Sequence, residues 1–308
     1  MGISWAHVLG DACACIQFLN TFSRLYQGLP TLEPLPVFPR RLWHRENIDP
    51  TYLPMMKHLT ESLTMEEILQ RTQDKEKISE QINLHFHDDD LLRLRQLVND
   101  NTLTIHDLLI AYIIITLNRL YLETNEDLLI HHTNIIINYR GVSDRIAPTN
   151  LIANCTFRMI SENFSDPHSL SSVAQSIRQS ILRSRDPIFL EELLPTADDL
   201  MRHLASENRQ VNVDHFPHGI VINSNYRFDW SDFVNLGFVN QCRFHTDGSA
   251  PLFLRVFRLN PLFDGKQYLS RDQFGAEVAF RIRKTMKEKF LHIYRNDIRE
   301  KFSRINTT

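Results

Sequence analysis

Six of the thirteen prolines lie between Pro30 and Pro54: Pro30, Pro34, Pro36, Pro39, Pro50 and Pro54. Each fixes φ and removes a backbone donor, so no continuous helix or central strand can run through this stretch. The chain is thereby divided into a leading piece (1–28), an irregular crossover linker (29–76) with one short helix from Met65, and a long second unit (77–308).

The leading piece reads as a short apolar strand over 3–9 that ends at His7, followed by a helix over 12–26. That helix places Ile16, Leu19, Phe22, Leu25 and Tyr26 at helical spacing and stops at Gly28 and Pro30. In the second unit, Ile82 to Phe86 reads as a strand running into Asp88, Asp89 and Asp90, carboxylates suited to a helix N-terminus. Helices are expected over 91–97, 104–122 and 169–185, and a β-branched strand over 129–139. From Gly219 onward strands dominate (GIVINSNYRF, SDFVNLGF, LFLRVFRL, AEVAFRI), and a helix over 284–293 closes the unit. Helices and strands mix without a strict βα repeat, so the fold class is α/β or α+β with a mixed sheet.

Composition narrows the function classes. With 34 basic and 37 acidic side chains the formal charge is −3, which lacks the basic excess a nucleic-acid partner requires. Glycine is scarce, 9 in 308, and neither phosphate-loop pattern (GxGxxG or GxxxxGK[ST]) occurs. Four cysteines (Cys13, Cys15, Cys155, Cys242) include no CxxC, so a reducing, cytoplasmic setting is the simplest expectation. No basic segment followed by a long apolar run opens the sequence, and Ala6 stands where a myristoylation motif wants Ser or Thr. The apolar run Leu108–Leu117 spans about half a membrane and reads as a buried helix, so no membrane partner is expected.

The first chemical candidate is His7-Val8-Leu9-Gly10-Asp11, an HxxxD sequence. Chance supplies about one such pair in a chain with 14 His, and His85…Asp89 is another. What separates the two is context: His7 stands where a strand gives way to a helix, and a neutral imidazole there can take a proton from a hydroxyl or amine. The plainer readings are a packed or partly exposed histidine and, for Asp11, a helix N-cap.

Five segments in order carry a resemblance. WAHVLGDACACIQFLNTF resembles the active-site segment of the BAHD-type, acyl-CoA-dependent acyltransferases. Thr104-Ile-His-Asp-Leu-Leu-Ile-Ala resembles the helix opening that family's second domain. Asn138-Tyr-Arg140-Gly141 with Asn150-Leu-Ile-Ala-Asn154 resembles its arginine segment and "GN" turn, with Ala153 where Gly is usual. Val173-Ala-Gln-Ser-Ile-Arg178 resembles the next helix. Ser224-Asn225-Tyr226, nine residues ahead of Asn235-Leu-Gly237-Phe-Val239, resembles the TSW element and the DFGWG loop. The match runs over residues 3–293.

The resemblance implies a chloramphenicol-acetyltransferase-like, two-domain architecture that is N-terminally truncated, since only six residues precede His7 where the family has a substantial segment. Residues 1–28 would end the first domain and 77–308 would form the second. An acyl group would pass from acyl-CoA, as co-substrate and with no bound cofactor, to a hydroxyl or amine on a small molecule. His7 would be the general base, and Asp11 would pair with Arg140 in a structural role. Ser224 would donate to the oxyanion and Tyr226 would line the same cavity, while Arg140, Asn154, Asn235 and Gly237 would be structural. Asn235 replaces the Asp of a family salt bridge, and Val239 replaces a Gly. The chain would act as a monomer or together with the missing segment. A rival reading is an inactive remnant or fragment that binds CoA, a ligand or a partner chain. A metal reading rests on His85-Phe86-His87 beside Asp88–Asp90, for which spacing identifies no third and fourth ligand, so no metal is expected. Cys13 and Cys15 diverge on a helix and have no local base, which argues against a cysteine nucleophile.

Overall fold

The structure, a computed structural model, describes residues 3–39, 41–44, 48–212, 218–237, 243–244 and 250–300. Its frame is one six-stranded mixed sheet built from β1 (Ser79–Phe86), β2 (His132–Asn138), β3 (Thr156–Ile160), β4 (Gly219–Ser224), β5 (Phe253–Arg258) and β6 (Ala276–Arg283). The strand order is β1-β6-β5-β4-β2-β3. The β2–β4 and β4–β5 pairs are parallel and the other three are antiparallel.

Alternation along these strands sends one set of side chains to the main core. Ile82, Leu84 and Phe86 of β1, Ile135 and Ile137 of β2, Ile220 and Ile222 of β4, and Val278 and Phe280 of β6 share that face. The helix laid across it runs from Ile105 to Glu123. Its Thr104 cap accepts from the Asp107 amide while the Asp107 carboxylate receives the Thr104 amide at 2.8 Å, a reciprocal capping box. The helix is apolar all round because it is covered all round: Leu108 through Ile114 are each no more than 3% exposed. It is long and apolar enough to cross a membrane by length and composition alone, yet it forms the core.

A helix over Leu170–Arg183 packs beside it and is tied in through Arg178, whose Nε donates to Asp107 Oδ2 at 2.8 Å. Burial opposes ionisation of Asp107, but hydrogen bonds from His106, Thr104 and Arg178 outweigh it and hold the carboxyl below its ordinary range. Helices over Asp88–Gln96 and Lys284–Glu300 complete this layer.

A second core lies towards β3. It gathers Met56 and Leu59 with Ile146, Leu151, Ala153 and Cys155, and with Leu190, Leu193 and Leu194 of a helix over Pro187–Ser206. A third, smaller cluster seats α1 (Ala12–Tyr26) on the body through Cys15, Ile16, Leu19 and Trp230. Other apolar side chains of α1 are left bare: Phe18, Phe22, Leu25 and Tyr26 are 53%, 44%, 61% and 71% exposed.

Several elements differ from the sequence expectation. Residues 3–6 are not a strand, and they join no ladder among the described residues; His7–Leu9 form a single 3-10 turn. Residues 231–237 of SDFVNLGF are also not a strand, because Asp229 Oδ1 accepts from the Ser231 amide at 3.2 Å and starts a short helix over Trp230–Phe233, and Phe238 lies outside the described residues. The helix expected from Met65 extends to Ile78 and joins β1 directly at Ser79. Strand β3 and the Pro187–Ser206 helix have no counterpart in the sequence expectation.

One titration is built into the second core. His58, in a short helix over Lys57–Thr60, is pushed down to about 4 by burial, reinforced by the Arg158 guanidinium. The unfolded chain binds the proton more readily, so stability declines as pH falls from about 6.5 to about 4. At about 1.36 kcal/mol per unit this costs on the order of 2–3 kcal/mol at the acid end. Urea unfolding at pH 7 and pH 4.5 should show that slope in the wild type and a flatter one in His58→Gln.

Candidate active site

The site is assembled where α1 begins. Gly10 opens the turn ahead of it, and a Cβ there would stand 2.5 Å from the Ala14 Cβ, so the approach requires glycine. Asp11 is the N-cap, its Oδ1 accepting from the Ala14 amide at 3.1 Å. The other carboxylate oxygen faces inward. Oδ2 accepts from Arg140 Nη1 at 2.7 Å and from the Cys155 amide at 2.8 Å. Asp11 and Arg140 are 3% and 5% exposed, so this is a buried ion pair.

Arg140 lies two residues past the C-terminal end of β2, and its guanidinium is almost fully used. Nε donates to Leu151 O at 2.7 Å, Nη2 to Ala153 O, and Nη1 also to Asn138 Oδ1 at 3.3 Å. Burial works against its charge, but Asp11 more than offsets this and holds Arg140 above its ordinary value. The segment 151–155 therefore cradles both charges: its carbonyls take the cation, the Cys155 amide takes the anion, and Ala153 O accepts from the Asp11 amide at 3.4 Å.

The same segment reaches His7. Asn154 Nδ2 donates to the His7 carbonyl at 2.9 Å, and Trp5 Nε1 donates to Gly10 O at 2.8 Å, bracing the turn. The His7 side chain is exposed, and its ring forms no hydrogen bond among the described residues. Cys13, the second residue of α1, has its thiol pushed up by burial although Arg140 opposes this, which does not suit a thiolate nucleophile.

Ser224 is the last residue of β4, half-buried, with its Oγ accepting from the Tyr226 amide at 3.4 Å. Strands β2 and β4 run parallel with Ile135 opposite Ile222, so Ser224 and the Asn138–Arg140 corner emerge at the same edge of the sheet. No hydrogen bond joins Ser224 to His7 among the described residues. The Tyr226 side chain is engaged elsewhere. Its hydroxyl donates to Phe274 O at 2.6 Å and accepts from Arg258 Nη1 at 3.2 Å, with the Arg258 guanidinium 4.2 Å over the ring. Burial raises its pKa.

Asn235 Oδ1 accepts from the Gly237 amide at 2.8 Å, in a turn whose Gly237 φ of +95° favours glycine. This loop is fastened to α1 by Asn20 Nδ2 donating to Phe233 O at 2.8 Å and by Gln27 Nε2 donating to Asn235 O. The nearby ion pair is Asp229 with Arg271, at 2.6 Å. Val239 lies outside the described residues. His85 Nε2 is 3.9 Å from Glu277, whereas His87 lies beyond the strand, 3.6 Å from Asp272. No group of three or more His, Cys, Asp or Glu suited to a metal occurs among the described residues.

Asn138, Cys155 and the carbonyls of Leu151 and Ala153 are the site components that sequence reasoning missed. Only Asn138 has a side-chain signal, a polar residue closing an apolar strand two positions before Arg140.

No protein-family model matches the sequence, and no curated protein matches it. Solved structures do. Vinorine synthase superposes with a TM-score of 0.52 at 11% identity, covering 92% of this chain and 60% of that one. F. graminearum TRI101 complexed with coenzyme A and T-2 mycotoxin gives 0.55 at 12% identity, covering 91% and 61%. The apo form of F. graminearum TRI101 gives 0.51 at 14% identity, covering 97% and 64%. The chain thus spans about 60% of the length of these structures. Both proteins are BAHD acyltransferases, and the mixed sheet with its covering helices is the fold this chain has in common with them.

Proposed function

We propose that this chain belongs to an acyl-CoA-dependent acyltransferase in which His7 is the general base. The observation that carries the reading is the His7–Asp11 loop. The Asp11–Arg140 pair and the 151–155 cradle lock it from within, while the imidazole is left exposed with neither ring nitrogen engaged among the described residues. Asp11 faces Arg140 and not the imidazole, so it shapes the loop and relays no proton.

In the proposed reaction His7 takes the proton of an acceptor hydroxyl or amine as that atom attacks the thioester carbonyl of acyl-CoA. The resulting tetrahedral oxyanion would accept from the Ser224 hydroxyl. Its collapse breaks the C–S bond, and the imidazolium returns the proton to the departing CoA sulfur. Such a base typically contributes about 10²–10⁴-fold. No covalent acyl-enzyme is required. The coenzyme A in the TRI101 complexes supports the choice of co-substrate.

A second reading has a specific observation behind it. Phe18, Phe22, Leu25 and Tyr26 along α1 are bare, and His7 ahead of that helix is exposed. In that version the chain alone binds CoA without turnover, and an additional polypeptide covering the apolar flank completes the pocket. A cytosolic location belongs to both versions. Release of free CoA thiol from acetyl-CoA and longer acyl-CoAs, against a panel of alcohols and amines, separates them. Acceptor-dependent release supports the enzyme, binding without release supports the incomplete pocket, and a folded chain that neither binds nor releases CoA contradicts both.

A further inference from the structure

We propose that Asn154 is the positioning residue of His7, fixing the main chain from which the imidazole is presented; this rests on His7 being the base. The loop from His7 to Asp11 is held very differently at its two ends. The Asp11 end has the buried ion pair, the Cys155 amide and the Ala153 carbonyl. The His7 end has far less: residues 3–6 pair with no strand among the described residues, and Val8 and Leu9 are 87% and 59% exposed. The His7 carbonyl receives the Gly10 amide within its own turn at 3.3 Å, and from outside that turn it receives the Asn154 side chain at 2.9 Å.

Asn154 is well placed for such a clamp. Its neighbours on either side are Ala153, whose carbonyl accepts from Arg140 and from the Asp11 amide, and Cys155, whose amide donates to Asp11. The main chain of Asn154 is therefore fixed by one end of the loop while its side chain grips the other. The grip has a cost, because Asn154 Oδ1 is closed off from solvent with no hydrogen-bond partner among the described residues. A residue chosen for packing alone would carry no such atom. The amide donor to His7 is what the asparagine supplies.

The test is Asn154→Ala, read by steady-state kinetics with acyl-CoA and by amide hydrogen exchange over residues 8–10. Loss of the clamp should raise exchange there by about tenfold or more, with exchange in the Ile105–Glu123 helix unchanged. It should lower kcat by about 10–100-fold while KM for acyl-CoA stays within about twofold, the signature of a misplaced catalytic group. Asn154→Asp, which keeps the shape and sets an acceptor against the His7 carbonyl, should behave in the same way. Unchanged exchange at 8–10, or raised exchange with unchanged kcat, overturns the proposal. A wild type that neither binds nor turns over acyl-CoA refutes the base assignment instead; where it binds without turnover, or not at all, the exchange measurement decides the clamp by itself.

Discussion

Replacing Arg140 with Ala should destabilise the fold by about 3–5 kcal/mol, the scale for removing one member of a buried ion pair. The loss has two parts. Asp11, 3% exposed, keeps its charge with no cation beside it, and the carbonyls of Leu151 and Ala153 lose their donors. Three parts of the chain would come undone together: the start of α1, the end of β2, and the 151–155 segment between β2 and β3. Urea unfolding should therefore show a lower midpoint for Arg140→Ala than for any single change on the exposed flank of α1. The double variant Asp11→Asn with Arg140→Met is the internal control. Asn is still a good N-cap and Met fills much of the volume, so the double variant should be more stable than Arg140→Ala. A midpoint for Arg140→Ala within about 1 kcal/mol of wild type would show that the pair does not fasten the loop.

Replacing His7 with Ala should have the opposite profile. The side chain is exposed and its ring is unbonded among the described residues, so unfolding should shift by no more than about 0.5 kcal/mol. Acyl transfer should nevertheless fall by about 10²–10⁴-fold, because only a correctly held base can take the acceptor's proton as the thioester is attacked. Val8→Ala, next to it and 87% exposed, should leave both quantities near wild type. The contrast between His7→Ala and Arg140→Ala separates the group that does the proposed chemistry from the group that shapes the loop. Equal losses of activity and stability in His7→Ala would instead mark the histidine as structural.

The parts of this molecule legible in its sequence are those in which side-chain pattern and local geometry agree. The 105–123 helix is signalled by Thr104, Asp107 and an unbroken apolar run, and β5 and β6 by apolar strand-forming residues. The Pro187–Ser206 helix is hidden by the Pro195 inside it, although Asp186 ahead of Pro187 is a clear N-terminal signal. Residues 3–6 and 231–237 look like strands by composition, but a strand exists only against a neighbour, and that is settled by distant residues.

The site divides along the same line. His7, Asp11 and Arg140 can be named from the sequence because motif order points to them. The Leu151 and Ala153 carbonyls cannot, since a backbone carbonyl is the same in every residue and only the fold aims it. Tyr226 shows the converse: its identity is conspicuous in the sequence, while its hydroxyl is spent on Phe274.

The most direct test of the account is to titrate the folded, isotopically labelled chain with coenzyme A and map the amide and imidazole shifts. Shifts concentrated at His7–Cys13, at Asn138–Arg140, at 151–155 and at Ser224, with His7 among the largest, are the predicted result. Shifts confined to a surface remote from His7, or none at millimolar coenzyme A with the fold intact, would contradict it.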